Sequence, residues 1–450
     1  MRLQHYFCLL YTSIVWNGIS TVNPQSNVTT SSLPGGTVTN GPGSGSGTLD
    51  LNAQNIIFGY SNLDLPQRDV PLNRLTLGFS TVNLNASSEI TANNQGSLAV
   101  YQSQPHFGQA GIGGTLNLTT PLLTAANQAT IGFTAGGAVN VGLAAGMNAA
   151  TSLVTETAGG EVDLTGATIN IAGAVILPSG KLNLQATNDI SLGAGSLINL
   201  AGVTTTNVNQ TIYGFGGDLI MESAAGNISQ AAGSVINVAA VHNTAGSVTV
   251  TATNAAAGQV SLLGTLIGSS TGGYASGGFN IRAQNLGDFA ALNTSLDAGG
   301  FFQSRSFDIK QGDLTIGNGV QAHAVTVSLD NGNLTVNGLI DASGNGGGSI
   351  SLAASDNLTL ASTAVLNAQG TVLQVDSYGV PIPAANAPSV SLTTSTGELT
   401  LASGAQINLA SADSVARGDL ELNVPRLASA TAGDANINAA GAVNLSLIHI

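Results

Sequence analysis

The chain repeats one short pattern, a glycine followed by a strand in which polar and aliphatic residues alternate. Gly160 and Gly180 lie 20 residues apart, as do Gly312 and Gly332, Gly397 and Gly418 lie 21 apart, and the other steps are 29 residues or more. The seven copies are GEVDL (Gly160), GKLNL (Gly180), GSVTV (Gly246), GDLTI (Gly312), GNLTV (Gly332), GELTL (Gly397) and GDLEL (Gly418). A repeat of roughly 20–50 residues is typical of solenoids, in which each unit stacks on the one before it. The pattern therefore predicts stacked coils, with loops inserted where the spacing is longer.

A second repeat places an asparagine at a fixed position. Four segments align without gaps, and each has an alternating strand, a turn of small residues and a second strand. They are Asp189–Gly202, Asn227–Ala240, Asn357–Gly370 and Glu398–Ser411, and the second strand carries Asn199, Asn237, Asn367 or Asn408. Stacking brings equivalent side chains into register, so we expect asparagine ladders that hydrogen-bond along the axis of the stack.

The composition favours strands over helices. Gly accounts for 59 of 450 residues, and the hydrophobic fraction is 43% although only 4% of residues are aromatic. We find no sustained helical stripe, and the Gly, Asn, Thr and Val content disfavours helix throughout. Short strands could also form a sandwich or barrel. The small-residue turns and the 20-residue register favour an all-β, right-handed parallel β-helix (β-solenoid) of about 20-residue coils with inserted loops. Leu182, Leu184, Val248 and Val250 are expected to point into its core.

The ends of the chain differ from its middle. Residues 46–445 carry the β-helical repeats and are interpreted as a shaft. Residues 1–20, which hold Cys8 and Trp16, are an atypical N-terminus, either an artefact or the remnant of a signal peptide. Residues 21–45 are an irregular segment rich in Gly, Ser and Thr, and residues 446–450 are an atypical tail. With a single cysteine, a disulfide framework is excluded.

Two proline-containing segments interrupt the coil pattern. Residues 58–76 hold Pro66 and Pro71, and residues 371–389 hold Pro381, Pro383 and Pro388. Proline is excluded from central strands because it cannot donate to the ladder. We therefore expect both segments to protrude from the side of the stack.

The charge balance excludes several classes of partner. Nine basic and 23 acidic residues give a net charge of −14. Binding to nucleic acid or to anionic lipid requires clusters of Lys and Arg, and the chain has none. The sequence lacks an uninterrupted apolar run of membrane-spanning length. It also lacks the glycine- and aspartate-rich calcium repeat, so neither a cofactor nor a metal site is predicted.

Several longer segments resemble a known family. They are Gly114–Val141, Leu286–Phe301, Gln311–Gly344 and Gly370–Ile382, and as a set they are similar to the filamentous haemagglutinin family of large bacterial exoproteins exported by two-partner secretion. The resemblance covers about residues 45–445. It implies an internal shaft fragment of a β-helical fibre, secreted or on the cell surface of a Gram-negative bacterium. Its partners would be host or bacterial surface receptors or glycans, and an outer-membrane transporter during export. The family's N-terminal secretion domain is not visible.

One tripeptide is a candidate cell-attachment site. Arg417, Gly418 and Asp419 spell RGD, which some adhesins use to engage integrins. Gly418 also begins a GDLEL copy, so Asp419 comes with the repeat and Arg417 is the additional residue. We therefore expect binding to come from the repeated outer surface and not from this tripeptide.

An enzymatic interpretation is the alternative. A β-helix that cleaves polysaccharides needs clustered carboxylates with Arg or Lys on one face. The densest late charges are Asp288, Asp297, Arg305, Asp308, Lys310 and Asp313, which a solvated inserted loop would explain more simply. His106, His242 and His323 are isolated. We predict a structural or adhesive segment with no catalytic residues, and keep a carbohydrate-binding or carbohydrate-cleaving β-helix (a surface depolymerase) as the alternative. Three or more carboxylates converging in a groove would favour that alternative.

Overall fold

The structure is a computed structural model. It describes residues 13–16, 30–33, 36–39, 46–59, 71–103, 109–151, 158–317, 319–426, 435–439 and 444–446. Strand makes up 52% of the structure and helix 4%. The strands form long parallel sheets, so the predicted all-β fold of the β-solenoid class is confirmed. Cys8, His106 and Pro66 lie outside the described residues.

The strands are short and follow one another closely along the chain. The first are β1 Ser13–Trp16, β2 Thr30–Leu33, β3 Gly36–Thr39, β4 Gly47–Phe58, β5 Leu72–Leu77, β6 Phe79–Ala92, β7 Gly96–Tyr101, β8 Thr115–Thr119, β9 Thr130–Ala135, β10 Ala138–Gly142, β11 Glu161–Gly166, β12 Thr168–Ile171, β13 Ala174–Ile176 and β14 Lys181–Ala186. Next come β15 Ile190–Leu192, β16 Leu197–Asn199, β17 Thr204–Asn207, β18 Gln210–Tyr213, β19 Asp218–Ser223, β20 Ile228–Gln230, β21 Val235–Asn237, β22 Ser247–Ala252, β23 Gln259–Leu262, β24 Thr265–Ile267, β25 Gly278–Ala283 and β26 Asn285–Leu286.

The rest of the chain contains one α-helix, α1 Phe289–Gly299, and a short 3₁₀ helix, Ala384–Asn386, among its described residues. Its strands are β27 Ser304–Ile309, β28 Leu314–Ile316, β29 Val320–Gln321, β30 Ala324–Leu329, β31 Leu334–Val336, β32 Leu339–Asp341, β33 Gly344–Asn345, β34 Ser349–Ala354, β35 Leu358–Leu360, β36 Val365–Asn367, β37 Gly370–Val372, β38 Ser389–Thr394, β39 Leu399–Leu401, β40 Gln406–Asn408, β41 Asp419–Asn423, β42 Ile437–Ala439 and β43 Asn444–Ser446.

The chain divides into two compact units. Unit 1 comprises residues 1–247, 262–266 and 270–274, and unit 2 comprises residues 248–261, 267–269 and 275–450. In unit 1 the strands stack in the orders β1-β4-β6-β8-β10-β12-β15-β20, β5-β7-β9-β11-β14-β19 and β13-β16-β21-β24. Two antiparallel hairpins, β2–β3 and β17–β18, accompany these sheets.

Unit 2 repeats the arrangement with other strands. One sheet runs β22-β25-β27-β30-β34-β38-β41, and two narrower ones run β28-β31-β35-β39-β42 and β29-β32-β36-β40-β43. The seven glycine-led copies therefore fall into two kinds. GDLTI, GNLTV and GELTL form the three-residue strands β28, β31 and β39 of a narrow sheet. The other four form five- or six-residue strands of the wide sheets.

Alternation buries every second side chain of each wide strand, and the buried residues of successive strands form aliphatic columns. In unit 1, Val162 pairs with Leu182 and Leu182 with Leu219, and all three are fully buried. Leu184, Val248 and Val250 are also fully buried, as predicted. When the side chains of a strand alternate between core and solvent, a slip of one residue in the pairing would expose its apolar set. The repeated alternation therefore fixes which face of each coil stacks against the core.

The glycine that opens each wide repeat is required by close approach between coils. A Cβ on Gly180 would overlap the carbonyl oxygen of Gly160, one on Gly217 that of Gly180, and one on Gly246 that of Gly217. The amide of Lys181 donates to that same Gly160 oxygen at 3.0 Å. We call Gly160, Gly180, Gly217 and Gly246 the glycine stack. The pattern in the sequence thus reflects a lack of space for a side chain.

The helix α1 contradicts the expectation that helices could be set aside. Asp288 caps its N-terminus, where the carboxylate accepts a hydrogen bond from the amide of Ala291 at 2.9 Å, and Gly300 ends it in the left-handed conformation. Phe289, Leu292 and Leu296 are buried on one face. An N-cap aspartate, helical spacing of apolar residues and a C-terminal glycine are together sufficient to form a short helix that packs on a core.

The two proline segments have different outcomes. After β37, residues 373–388 lie outside the wide sheets and are mostly exposed, with Tyr378 90% exposed. Pro381 and Pro383 are therefore outside central strands, as predicted. The interpretation of residues 58–76 as a loop is wrong at both ends, because Phe58 ends β4 and residues 72–77 form β5. Alternating burial along β5 explains why it is a strand; residues 60–70 lie outside the described part.

Candidate functional site

A ladder of polar side chains runs along the outward face of five successive strands of unit 1. Asp50, Asn83, Asn117, Asn140 and Asn170 occupy equivalent positions on β4, β6, β8, β10 and β12. The side-chain amide of each asparagine donates to the side-chain oxygen of the ladder member on the preceding strand, over 2.6, 2.7, 2.7 and 2.8 Å in chain order. The same surface chemistry is thereby presented coil after coil.

Unit 2 carries two shorter ladders of the same kind. Asn333 donates to Asp313 over 3.0 Å and Asn357 to Asn333 over 2.9 Å. The backbone and side-chain hydrogen bonds from Asn333 lower the pKa of the Asp313 carboxyl. The second ladder, Asp341–Asn367–Asn408, has two bonds of 3.0 Å. All three ladders begin with an aspartate, whose ionised carboxylate can only accept.

The four asparagines that the sequence places at one position share one hydrogen bond and differ in another. The side-chain oxygen of each accepts from the amide two residues later, over 3.2 Å at Asn199, 3.0 Å at Asn237, 3.4 Å at Asn367 and 3.1 Å at Asn408. Asn367 and Asn408 also form the predicted ladder bond, and Asn199 and Asn237 lie in register. Asparagine is favoured where a side chain can bond to its own backbone two residues on. The fixed asparagine therefore stabilises the corner of the coil as well as the stack.

The RGD tripeptide lies at the start of β41. Both guanidinium Nη atoms of Arg417 donate to the carboxylate of Asp413, with Nη2 2.8 Å from Oδ2. Nη1 also donates to the Ser411 hydroxyl at 3.1 Å. This hydrogen bonding lowers the pKa of Asp413 to about 2. Asp419 is exposed, and its amide donates to the Pro388 carbonyl at 2.9 Å. Arg417 would have to leave Asp413 before it could serve a receptor.

The late charged residues do not form the predicted solvated loop. Arg305 is almost completely buried in β27, where its Nη2 lies 2.6 Å from Asp297 Oδ1. Its Nη1 donates to Asn293 Oδ1 at 2.6 Å and its Nε to the Phe301 carbonyl at 2.9 Å. The physical reason is that Arg305 occupies an inward position of an alternating strand and α1 supplies the acceptors that a buried guanidinium needs. Sequence reasoning missed this interaction.

The remaining late charges lie on the surface in opposite pairs. Asp308 accepts from Arg282 at 2.9 Å and lies 3.3 Å from the Lys310 ammonium, which is 2.6 Å from Asp330. Asp288 caps α1 and Asp313 starts a ladder, so the six predicted residues are divided among four separate roles. Within the described residues, three or more His, Cys, Asp or Glu side chains do not gather in a group able to hold a metal ion.

The two described histidines lie in different settings. The ring of His242 packs on that of Tyr213, with centroids 5.0 Å apart. The amide of His323 donates to the Phe302 carbonyl at 2.8 Å. In the part of the chain that the structure describes, no helix has the length and apolar character needed to span a bilayer. α1 is 11 residues long.

Comparison with known proteins returns nothing: no family model, no curated protein and no solved structure matches the chain. The resemblance to the filamentous haemagglutinin family therefore stays a prediction that rests on the quoted segments alone.

Proposed function

We propose that this chain is a structural, adhesive segment of a secreted bacterial surface fibre, which attaches to cells or surfaces through its repeated outer face. The observation that carries the proposal is the outward ladder from Asp50 to Asn170. After Asp50, four coils in succession offer the same amide chemistry at the same place, and unit 2 offers it again in two ladders.

Such a surface suits many weak contacts better than one strong contact. Solenoids expose long, shallow faces, and linked weak contacts add through effective concentration. The charges that could have formed a reactive centre are engaged with each other, as in the pairs Arg282–Asp308 and Lys310–Asp330. Arg417 is likewise engaged by Asp413. These contacts support a distributed surface over a single recognition tripeptide.

The test is attachment of the purified chain to cells, measured on a series of coil deletions. Glu161 is in register with Lys181, so removing residues 161–180 joins Gly160 to Lys181 and preserves the pairing of the neighbouring strands. We expect attachment to decline in steps as coils are removed. Asp419→Ala is the matched point variant, and it should attach as well as the wild type.

Complete loss of attachment in Asp419→Ala would contradict the distributed surface and favour the RGD tripeptide. Release of new reducing ends from a surface polysaccharide would instead support the carbohydrate-cleaving alternative. Both readouts use the same preparation of the purified chain.

A further inference from the structure

A small antiparallel hairpin holds exposed apolar side chains on the surface of unit 1. β17 and β18 pair from Thr204 with Tyr213 to Asn207 with Gln210. The amide of Gly214 donates to the Val203 carbonyl at 2.8 Å and closes the base of the hairpin. All four residues of β18 are exposed. Contiguous exposed apolar surface on a soluble protein often marks a binding site.

Two exposed rings are in contact, and a third follows closely in the sequence. Tyr213, at the end of β18, contacts the ring of His242, and the Asn243 side chain donates to the Tyr213 carbonyl at 2.7 Å. Phe215, two residues after Tyr213, is 56% exposed. We call Tyr213, Phe215 and His242 the aromatic platform. Aromatic residues make up only 4% of this chain, so a group of rings outside the core is unusual for it.

The position of His242 is imposed by its surroundings. Its φ angle of +49° is in the left-handed region, and its amide donates to the Thr271 hydroxyl at 3.0 Å. A Cβ at Gly272 would overlap the His242 ring nitrogen, so only glycine leaves room for the ring there. Val208, at the tip of the hairpin, also has a positive φ of 54°. Strained backbone of this kind persists where the fold enforces it, and it clusters at ligand sites.

The chain that carries the platform is poor in charge. Residues 190–217 and 223–281 contain no Asp, Glu, Lys or Arg. Asp218, just after the platform in sequence, accepts hydrogen bonds from the amide and hydroxyl of Ser247 at 3.0 and 2.6 Å. The exposed neighbours Gln210 and Thr211 add an amide and a hydroxyl. The groups that the hairpin and the platform themselves offer are therefore rings, amides and hydroxyls, all of which suit an uncharged ligand.

We propose that the aromatic platform binds a neutral oligosaccharide. A pyranose ring presents C–H groups on its face, which pack against an aromatic ring, and hydroxyls on its rim, which bond to amide and hydroxyl groups. A neutral sugar needs no opposite charge, in agreement with the composition around the platform. The platform is a single site that stands beside the repeated outer face, and the inference adds a ligand class to the proposed adhesive function.

The experiment measures binding of maltohexaose, cellohexaose and chitohexaose to the full chain by titration calorimetry and by saturation-transfer NMR. A heparin octasaccharide is the anionic probe. At least one neutral probe should bind, and the double variant Tyr213→Ala/Phe215→Ala should weaken it at least about tenfold, since two stacking rings are lost. Tyr213→Phe should retain binding because it keeps the ring. Tyr378→Ala, which removes an exposed tyrosine in unit 2, is the matched control and should bind as the wild type does.

Three results would overturn the inference: no neutral probe binds, the double variant binds as tightly as the wild type, or the heparin probe binds more tightly than every neutral one. Circular dichroism of each variant checks that the coils remain folded, and the Tyr213→Phe arm tests the role of the ring in a chain with an almost unchanged side chain. Failure here with intact cell attachment would leave the proposed function standing. Neutral-sugar binding without cell attachment would support the platform and contradict the proposed function.

Discussion

The stacked coils of unit 1 and the helix cluster of unit 2 are built on similar parallel strands but are stabilised differently. The helix cluster is α1 with Phe279, Phe301, Arg305 and Phe307. In unit 1, aliphatic columns, the glycine stack and the asparagine ladder repeat small contributions on every coil. In the helix cluster, aromatic rings lie 6.1 and 6.2 Å apart around a buried guanidinium. Repetition spreads stability over many residues, whereas the helix cluster concentrates it in a few.

The largest expected effect is at Arg305, because the helix cluster depends on it. Arg305→Ala removes a buried cation and takes the guanidinium away from Asn293 Oδ1 and Asp297 Oδ1. Breaking a buried ion pair from one side costs about 3–5 kcal/mol, and we expect α1 and β27 to lose hydrogen-exchange protection accordingly, as measured by mass spectrometry. Arg282→Ala removes the same charge from a surface pair whose arginine is 56% exposed, and should cost less than about 1 kcal/mol.

Unchanged hydrogen-exchange protection of α1 in Arg305→Ala would show that the stability of the helix cluster is not concentrated in Arg305. The double variant Arg305→Met/Asp297→Leu tests the same point further, because an apolar pair of similar volume often restores the stability that is lost when one charge of a buried pair is removed. We expect this variant to regain most of the lost protection.

The next effect in size is in the glycine stack. Gly217→Val places a branched side chain where even a Cβ overlaps the Gly180 carbonyl oxygen. Forcing extra volume into a packed interior costs about 1–3 kcal/mol, and the urea midpoint of unit 1 should fall. Gly142→Val, at the end of β10, is the control. A Cβ at Gly142 meets nothing within 4 Å, and its φ is outside the left-handed region. A larger effect at Gly142 than at Gly217 would contradict close approach as the reason for the repeated glycine.

A smaller effect is expected in the asparagine ladder. Asn117→Ala removes two side-chain hydrogen bonds, one to Asn83 and one from Asn140. Net contributions are about 1 kcal/mol per bond or less, so exchange protection of β8 should fall modestly. Asn170→Ala removes one ladder bond and should cost about half as much. Equal costs at the two positions would mean that one of the two bonds of Asn117 contributes nothing to stability.

The smallest effect is the titration of Asp413 on the surface of unit 2. Its pKa in the folded chain is lowered to about 2 by hydrogen bonds from Arg417, against a usual value of about 3.9. The contribution of this pair is therefore present above the unfolded pKa and is lost as the pH falls through the folded pKa. A carbon-detected NMR titration should place the Asp413 carboxyl near its usual pKa in Arg417→Ala. An unchanged pKa in that variant would show that Arg417 does not hold the carboxyl.

Sequence alternation predicts the wide strands and their buried columns well, because one face of each strand needs apolar side chains for the core and the other needs polar side chains for solvent. The alternation also indicates that Arg305 points inward. In the strand SRSFDI, residues 304, 306 and 308 are polar, and Arg305 shares the opposite face with Phe307 and Ile309. That signal is hard to trust, because a buried arginine is stable only with acceptors that another segment supplies. Those acceptors lie on α1, and a period search for coils passes over an 11-residue helix.

The aromatic platform was beyond the reach of sequence for a different reason. Tyr213 and His242 are 29 positions apart, on a hairpin and a turn that the repeat pattern does not describe. Only stacking of the coils brings the two rings into contact. The segment after β37 was easier to predict from the sequence. Pro381 and Pro383 have no backbone N–H to donate to a central ladder, so they indicate by themselves that the chain leaves the sheet.

The ladders have a direction, and this bears on how such a chain can lengthen. Every amide in the Asp50 ladder donates toward the preceding coil, and the ladder starts at a residue that can only accept. An additional asparagine coil placed between Asp50 and Asn170 would find both an acceptor before it and a donor after it. Loss of such a coil would let its neighbours close up in the same way. Gene duplication can therefore add or remove interior coils without leaving an unpaired amide, whereas a second aspartate in the middle would set two acceptors against each other. Because the ladder has a direction, its asparagine coils are interchangeable, whereas the coil that carries Asp50 has to remain the first coil of the ladder.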